Sequence, residues 1–133
     1  MKNIPSLLAL IAVILLAGCA TPPPPGRSFA GIAPSEFTVT VTCSDPTARF
    51  TGMIISDGQC ENWVGMGGGT YHAGGHEVVC AFRKTTGVAG KISLAVSRAG
   101  VRLGESNTDD KNGGVRAELL YAPPEEHALF TTY

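Results

Sequence analysis

Two histidines four residues apart, His72 and His76, stand between Cys60 and Cys80. Cysteine and histidine are zinc-ligand types. An i, i+4 pair converges on a helix, however, and Tyr71-His72-Ala73-Gly74-Gly75-His76 is too rich in glycine to form one. A C-x₂₋₄-C knuckle is also absent, so the reading is loop histidines and no metal. Gly65-Met66-Gly67-Gly68-Gly69-Thr70 has the glycines of a phosphate loop but no Gly-Lys-Ser/Thr and no helix to open, which leaves a strand connection. Asp109-Asp110-Lys111-Asn112-Gly113 has calcium-ligand types, yet the D-x-[DN]-x-[DN]-G pattern would place Lys111 at a ligand position, and it reads as a solvated turn. No G-x-S-x-G motif occurs. Glu125-Glu126-His127 follows Pro123-Pro124 and is read as a surface tail, without the rigid support that catalysis needs. Trp63 and Tyr71 flank the glycine-rich segment as candidate exposed aromatics for a ligand lip, the alternative being a place in the core. The expectation is a protein that is not an enzyme and takes no cofactor.

The elements that would position these residues are strands. Phe37-Thr38-Val39-Thr40-Val41-Thr42-Cys43 alternates apolar residues with threonine, the pattern of a half-buried strand. Arg49 to Ser56 reads as its return strand, closed by an Asp57-Gly58 hairpin turn into Cys60 to Val64. Gly65 to Gly75 is expected to be irregular, with a short strand near Thr70-Tyr71. Strands follow at Glu77–Lys84, Lys91–Arg98, Val101–Leu103 and Val115–Tyr121, with turns at 86–90 and Ala99-Gly100 and a polar loop from Ser106 to Gly114. About seven short strands without helical periodicity predict an all-β domain, a small two-sheet β-sandwich of immunoglobulin or transthyretin-like type, over residues 36–122. Residues 123–133 are expected to be a C-terminal tail.

With Cys19 set aside for the reason given next, Cys43, Cys60 and Cys80 remain. Placing Cys43 and Cys60 at opposite ends of a hairpin strand about 20 Å long rules out their pairing. Cys60–Cys80 and Cys43–Cys80 stay open, the former preferred because both cysteines lie near the starts of their strands. The alternative is that Cys80 is a small buried hydrophobe.

Leu7 to Ala17 is an apolar run of eleven residues, preceded by Lys2 and followed by Gly18 and Cys19. A helix of that length spans roughly 16 Å, too short for a bilayer core. Leu16-Ala17-Gly18-Cys19 resembles the lipobox of bacterial lipoproteins. The resemblance implies a signal peptide cleaved after residue 18, and a diacylglycerol on the Cys19 thiol with a further fatty acid, such as palmitate, on its amine. It also implies membrane attachment; Ala20 leans towards the outer membrane, facing the periplasm, in a Gram-negative cell. Residues 19–35 then form a tether, stiffened by Thr21-Pro22-Pro23-Pro24-Pro25-Gly26 in polyproline II. Export places the domain where disulfides persist.

The order of turns and strands, with Asp57-Gly58, Thr70-Tyr71, Gly90-Lys91-Ile92 and Gly113-Gly114-Val115, is similar to the soluble sandwich of small accessory proteins that partner large mycobacterial lipid transporters. Those proteins carry a spanning helix where this chain has a lipobox. The likeness implies an accessory subunit of an envelope transport system.

Ten Lys and Arg against eleven Asp and Glu leave no basic patch for nucleic acid. The expected function is a lipid-anchored envelope binding or assembly module with a protein partner, the alternative being a glycan or small-ligand binder using Trp63 and Tyr71.

Overall fold

The computed structural model describes residues 29–85 and 89–133. The signal segment, Cys19 and the start of the tether lie outside the described residues, as do Thr86, Gly87 and Val88 of one expected turn. The described residues contain nine strands: β1 Ser35–Cys43, β2 Arg49–Ser56, β3 Gln59–Met66, β4 Gly68–Gly75, β5 Glu77–Lys84, β6 Ile92–Arg98, β7 Val101–Thr108, β8 Gly114–Ala122 and β9 Glu125–Thr132. All pairings are antiparallel, in the order β7-β6-β1-β4-β3-β2-β5-β8-β9. Between β3 and β4 the register holds at a single pair, Met66 opposite Gly68. The chain there turns through Gly67 at φ 77° and divides the strands into β7-β6-β1-β4 and β3-β2-β5-β8-β9. The two sheets pack as a small β-sandwich.

The core is where alternation puts it. Phe37, Val39, Val41 and Cys43 face inward from β1, opposite Val78, Cys80 and Phe82 of β5 and Val115, Ala117 and Leu119 of β8. Full burial of each larger apolar side chain contributes about 1.5–3 kcal/mol. Thr38, Thr40 and Thr42 take the outer face, across from His72, Thr70 and Gly68 of β4. The Asp57-Gly58 turn forms as expected, with Ser56 opposite Gln59 and φ of 47° and 84° at the two turn residues. Both values lie in the left-handed region that an Asn-Gly or Asp-Gly pair supplies in two-residue hairpins.

Four expectations need correction. β1 does not pair with β2: it lies between β4 and β6, and Ser44–Ala48 carries the chain across to the other sheet. Gly68–Gly75 is a full strand, because β1 supplies a ladder that glycines can join without side-chain pattern. β7 continues to Thr108, consuming part of the expected polar loop. Residues 125–132 are not a tail but β9, paired with β8 along its whole length and placing Ala128 and Phe130 against the core. On that side Phe130 lies over Gly104 of β7, so the second sheet's edge closes onto the first; a Cβ at residue 104 would stand 2.3 Å from the Phe130 ring.

Candidate functional site

On the opposite side of the sandwich the ladder between β3 and β4 is, among the described residues, a single pair. From Gln59 to Gly65, β3 pairs with β2 on one side and, among the described residues, with no strand on the other. Alternate backbone N–H and C=O groups along such an edge are a template for a further strand. The residues that β3 turns away from the core are not those of a solvated face. Val64 is 77% exposed and Met66 59%. Beside them Arg49, Phe50, Thr51 and Thr85 complete a groove of about 540 Å³ against the outer face. Further along that face, in register, come Met53, Ile55 and Val79, each half-buried with no second layer above it among the described residues.

Trp63 and Tyr71 belong to the other side of the same strands. Trp63 shares a row with Gly52 and Phe82, and Tyr71 is opposite Val39, so both side chains point inward. Their rings are 4.7 Å apart, and Tyr71 stacks on Phe82 at 5.6 Å and 17°. The pair spans the gap between β3 and β4 and is half-buried against the core. In place of the expected exposed lip the two side chains form an aromatic bridge, Trp63 against Tyr71 and Tyr71 against Phe82. The indole Nε1 of Trp63 and the Ser106 hydroxyl are buried without a hydrogen-bond partner among the described residues.

The cysteines do not pair as preferred. Cys43 and Cys80 are buried free thiols, so neither Cys60–Cys80 nor Cys43–Cys80 forms. Register gives the reason. Cys80 is opposite Ile54 of β2 and faces the core, whereas Cys60 is opposite Ile55 and faces outward two strands away. No bridge passes through a sheet. Burial pushes the Cys80 thiol up to about 12. Burial also raises Cys43, more than the nearby Lys84 ammonium lowers it. A thiol held protonated is neither nucleophile nor ligand. Cys43 and Cys80 are accordingly expected to stay unmodified by a maleimide at pH 7 in the native protein and to react once urea unfolds it. Rapid native labelling of either would contradict their burial.

His72 and His76 separate. His72 lies on the outer face of the first sheet. His76 is enclosed between β4 and β5, with Nδ1 2.8 Å from Asp57 Oδ2 and Nε2 2.5 Å from the Ile32 carbonyl oxygen. Nineteen residues separate His76 from Asp57, and no local pattern announces the pair. Asp110, in the calcium-like stretch, accepts the Asn112 N–H at 2.9 Å and so closes a turn upon itself. Among the described residues no three His, Cys, Asp or Glu side chains gather as metal ligands would.

Comparison with protein families, curated proteins and solved structures gives no significant match.

Proposed function

We propose that this chain is a lipid-anchored envelope lipoprotein whose sandwich is a non-catalytic docking module. Its β3 edge receives an extended segment of another envelope protein. The observation that carries the reading is the run Glu61–Gly65, which among the described residues is laddered to β2 alone, beside the exposed Val64 and Met66. β-Addition draws affinity from main-chain hydrogen bonds and selectivity from pockets for alternate side chains. The groove between Arg49 and Met66 is such a pocket. The lipobox-like Leu16-Ala17-Gly18-Cys19 supports attachment to the membrane, the outer one where the cell has two, leaving the domain in the periplasm.

A photo-crosslinking residue at Val64 is expected to capture one discrete envelope protein in living cells, and the same residue at Thr40, on the opposite sheet, to capture none. Val64→Lys, which places a solvated charge on the edge, should abolish capture from a neighbouring probe at Asn62. Equal labelling from both sheets would defeat the docking site. The anchor is tested separately. Cys19→Ser is expected to move the protein from the membrane fraction to the soluble one or leave it as uncleaved precursor. A native N-terminus upstream of Cys19, or a Cys19 thiol that carries no fatty acid and is joined to Cys60, would overturn lipidation.

A further inference from the structure

The imidazole of His76 is held from both ends by groups that only accept hydrogen bonds. Asp57 Oδ2 is 2.8 Å from Nδ1, and the carbonyl of Ile32 is 2.5 Å from Nε2. A neutral imidazole has one N–H and one lone pair, so it satisfies one of these contacts and opposes the other. The imidazolium donates to both. Phe29 stacks on the ring at 4.6 Å and 17°, an arrangement that also favours a cation. The side chain of His76 is only 11% exposed.

This ring joins separate parts of the fold. Asp57 belongs to the β2–β3 turn, and its Oδ1 accepts the backbone N–H groups of His76 and Glu77 at 2.9 and 2.8 Å. The His76 carbonyl accepts the N–H of Tyr121 on β8 at 2.8 Å. Ile32 and Phe29 belong to the segment before β1, and their own turn is closed by the Ile32 N–H donating to the Phe29 carbonyl at 3.1 Å. The rest of the frame stands without the ring's charge. The segment Phe29–Ile32 is what that charge fastens.

We propose that His76 is a pH-sensitive clamp: its imidazolium pins Phe29–Ile32 to the end of the sandwich, and loss of a proton releases that segment. On deprotonation the remaining N–H stays with the carboxylate, where the hydrogen bond is charge-assisted. The Nε2 lone pair then faces the Ile32 oxygen, and contact becomes repulsion. Freeing Phe29 to Pro34 gives up to about 20 Å of additional reach to whatever precedes Phe29. The device does not depend on the docking reading, because it changes how the domain is held and not what its β3 edge binds.

The charges around the ring agree with this direction. The Ile32 carbonyl, then the Asp57 carboxylate, lift His76 above the ordinary histidine value against the opposite pull of burial. Burial acts upward on Asp57, but the Glu77 N–H, the His76 ring and the His76 N–H together hold it below the ordinary carboxylate value. Glu77 beside Asp57, Glu36 on β1 across from Gly74, and Arg98 and Glu126 around Tyr121 are the charged groups at this end of the packed elements, and none of them is in hydrogen-bond contact with the imidazole. The stabilisation from His76 is thus complete below pH of about 6.5 and fades as pH rises through the ring's own higher value. That from Asp57 is present above pH of about 3.9 and fades as pH falls through its lower one.

The test is a pH series on the full chain, following the His76 ring by NMR and the Ile32 amide by hydrogen exchange corrected for its intrinsic rate. The ring should titrate above the same histidine in the urea-unfolded chain. Protection of the Ile32 amide should fall by about tenfold or more across that titration while β1 amides keep theirs. Asp57→Asn keeps a residue suited to the turn's positive φ and should lower both midpoints together. His76→Gln should leave Ile32 unprotected at every pH. Should that variant fail to fold, the paired midpoints in Asp57→Asn decide alone. A ring that titrates at its unfolded value, or Ile32 protection that does not follow the ring, would overturn the clamp.

Discussion

Removing residues 123–133 is expected to abolish cooperative folding. β9 pairs with β8 from Ala122 opposite Glu125 to Val115 opposite Thr132. Its loss would strip the ladder from one side of β8, whose Val115, Ala117 and Leu119 are among the most buried residues of the chain. It would also remove Phe130, opposite Ala117, and Ala128, opposite Leu119, from the core. Gly104 of β7 would then face an empty space where the Phe130 ring had been. A domain of this size has a total stability of about 5–15 kcal/mol. Losing a complete edge strand and its inward side chains takes most or all of it. Circular dichroism should show no sigmoidal melt for the truncated chain. Phe130→Ala, which keeps the strand, is expected to cost about 2–4 kcal/mol, less than a fully buried ring because Phe130 is half-exposed. Leu129→Gln, on the outward face, should cost little. A truncated chain that melts like the intact one would show that these residues do not fold onto the sandwich.

What could be read from the residues follows from what carries a local signal. Phe37 to Cys43 is legible because its threonines alternate with apolar residues, and the two faces they define are the two faces of β1. Asp57-Gly58 is legible because few residue pairs accept positive φ in succession. Strand partners carry no such signal. Alternation gives a strand its faces but not its neighbours, so nothing in the residues of β1 and β2 shows that Ser44–Ala48 carries the chain to the other sheet. Cys60 and Cys80 do not meet for the same reason: both lie near strand starts along the chain, while register decides which side of the sheet a thiol occupies. The glycine neighbours of Trp63 and Tyr71 suggest exposure, yet inward parity at Gly52 and Val39 sets their direction. β4 is nearly silent because glycines show no pattern, and Pro123-Pro124 has the residues of a strand end whether the chain stops there or, as here, turns into β9. His76 and Asp57 could be met only in three dimensions, since Asp57 sits in the β2–β3 hairpin turn and His76 where the chain crosses from β4 to β5.

Phe82 is the residue on which the β3 side of the sandwich depends. It is fully buried, edge-on to Phe50 at 6.0 Å and stacked with Tyr71 at 5.6 Å, and through Tyr71 it supports Trp63 behind the β3 edge. Phe82→Ala is expected to lower stability by about 3–5 kcal/mol in urea denaturation. Its space is reserved by Gly52, the residue opposite it on β2. A Cβ at residue 52 would stand 2.1 Å from Phe82 Cδ1 and 2.6 Å from the Ala81 carbonyl oxygen. Gly52→Ala should therefore cost about 1–3 kcal/mol, towards the upper end because a backbone atom as well as the ring stands in the way. The two losses should not add. Once the ring is gone its half of the obstruction is gone, and the added methyl fills part of the cavity. The double variant is expected to be more stable than the sum of the single effects predicts by about 1–2 kcal/mol. The Ala81 carbonyl remains in place, which limits the recovery. Strict additivity would mean that Gly52 is required by the strand backbone and not by the Phe82 ring. The aromatic bridge would then owe its position to the Trp63 and Tyr71 strands alone.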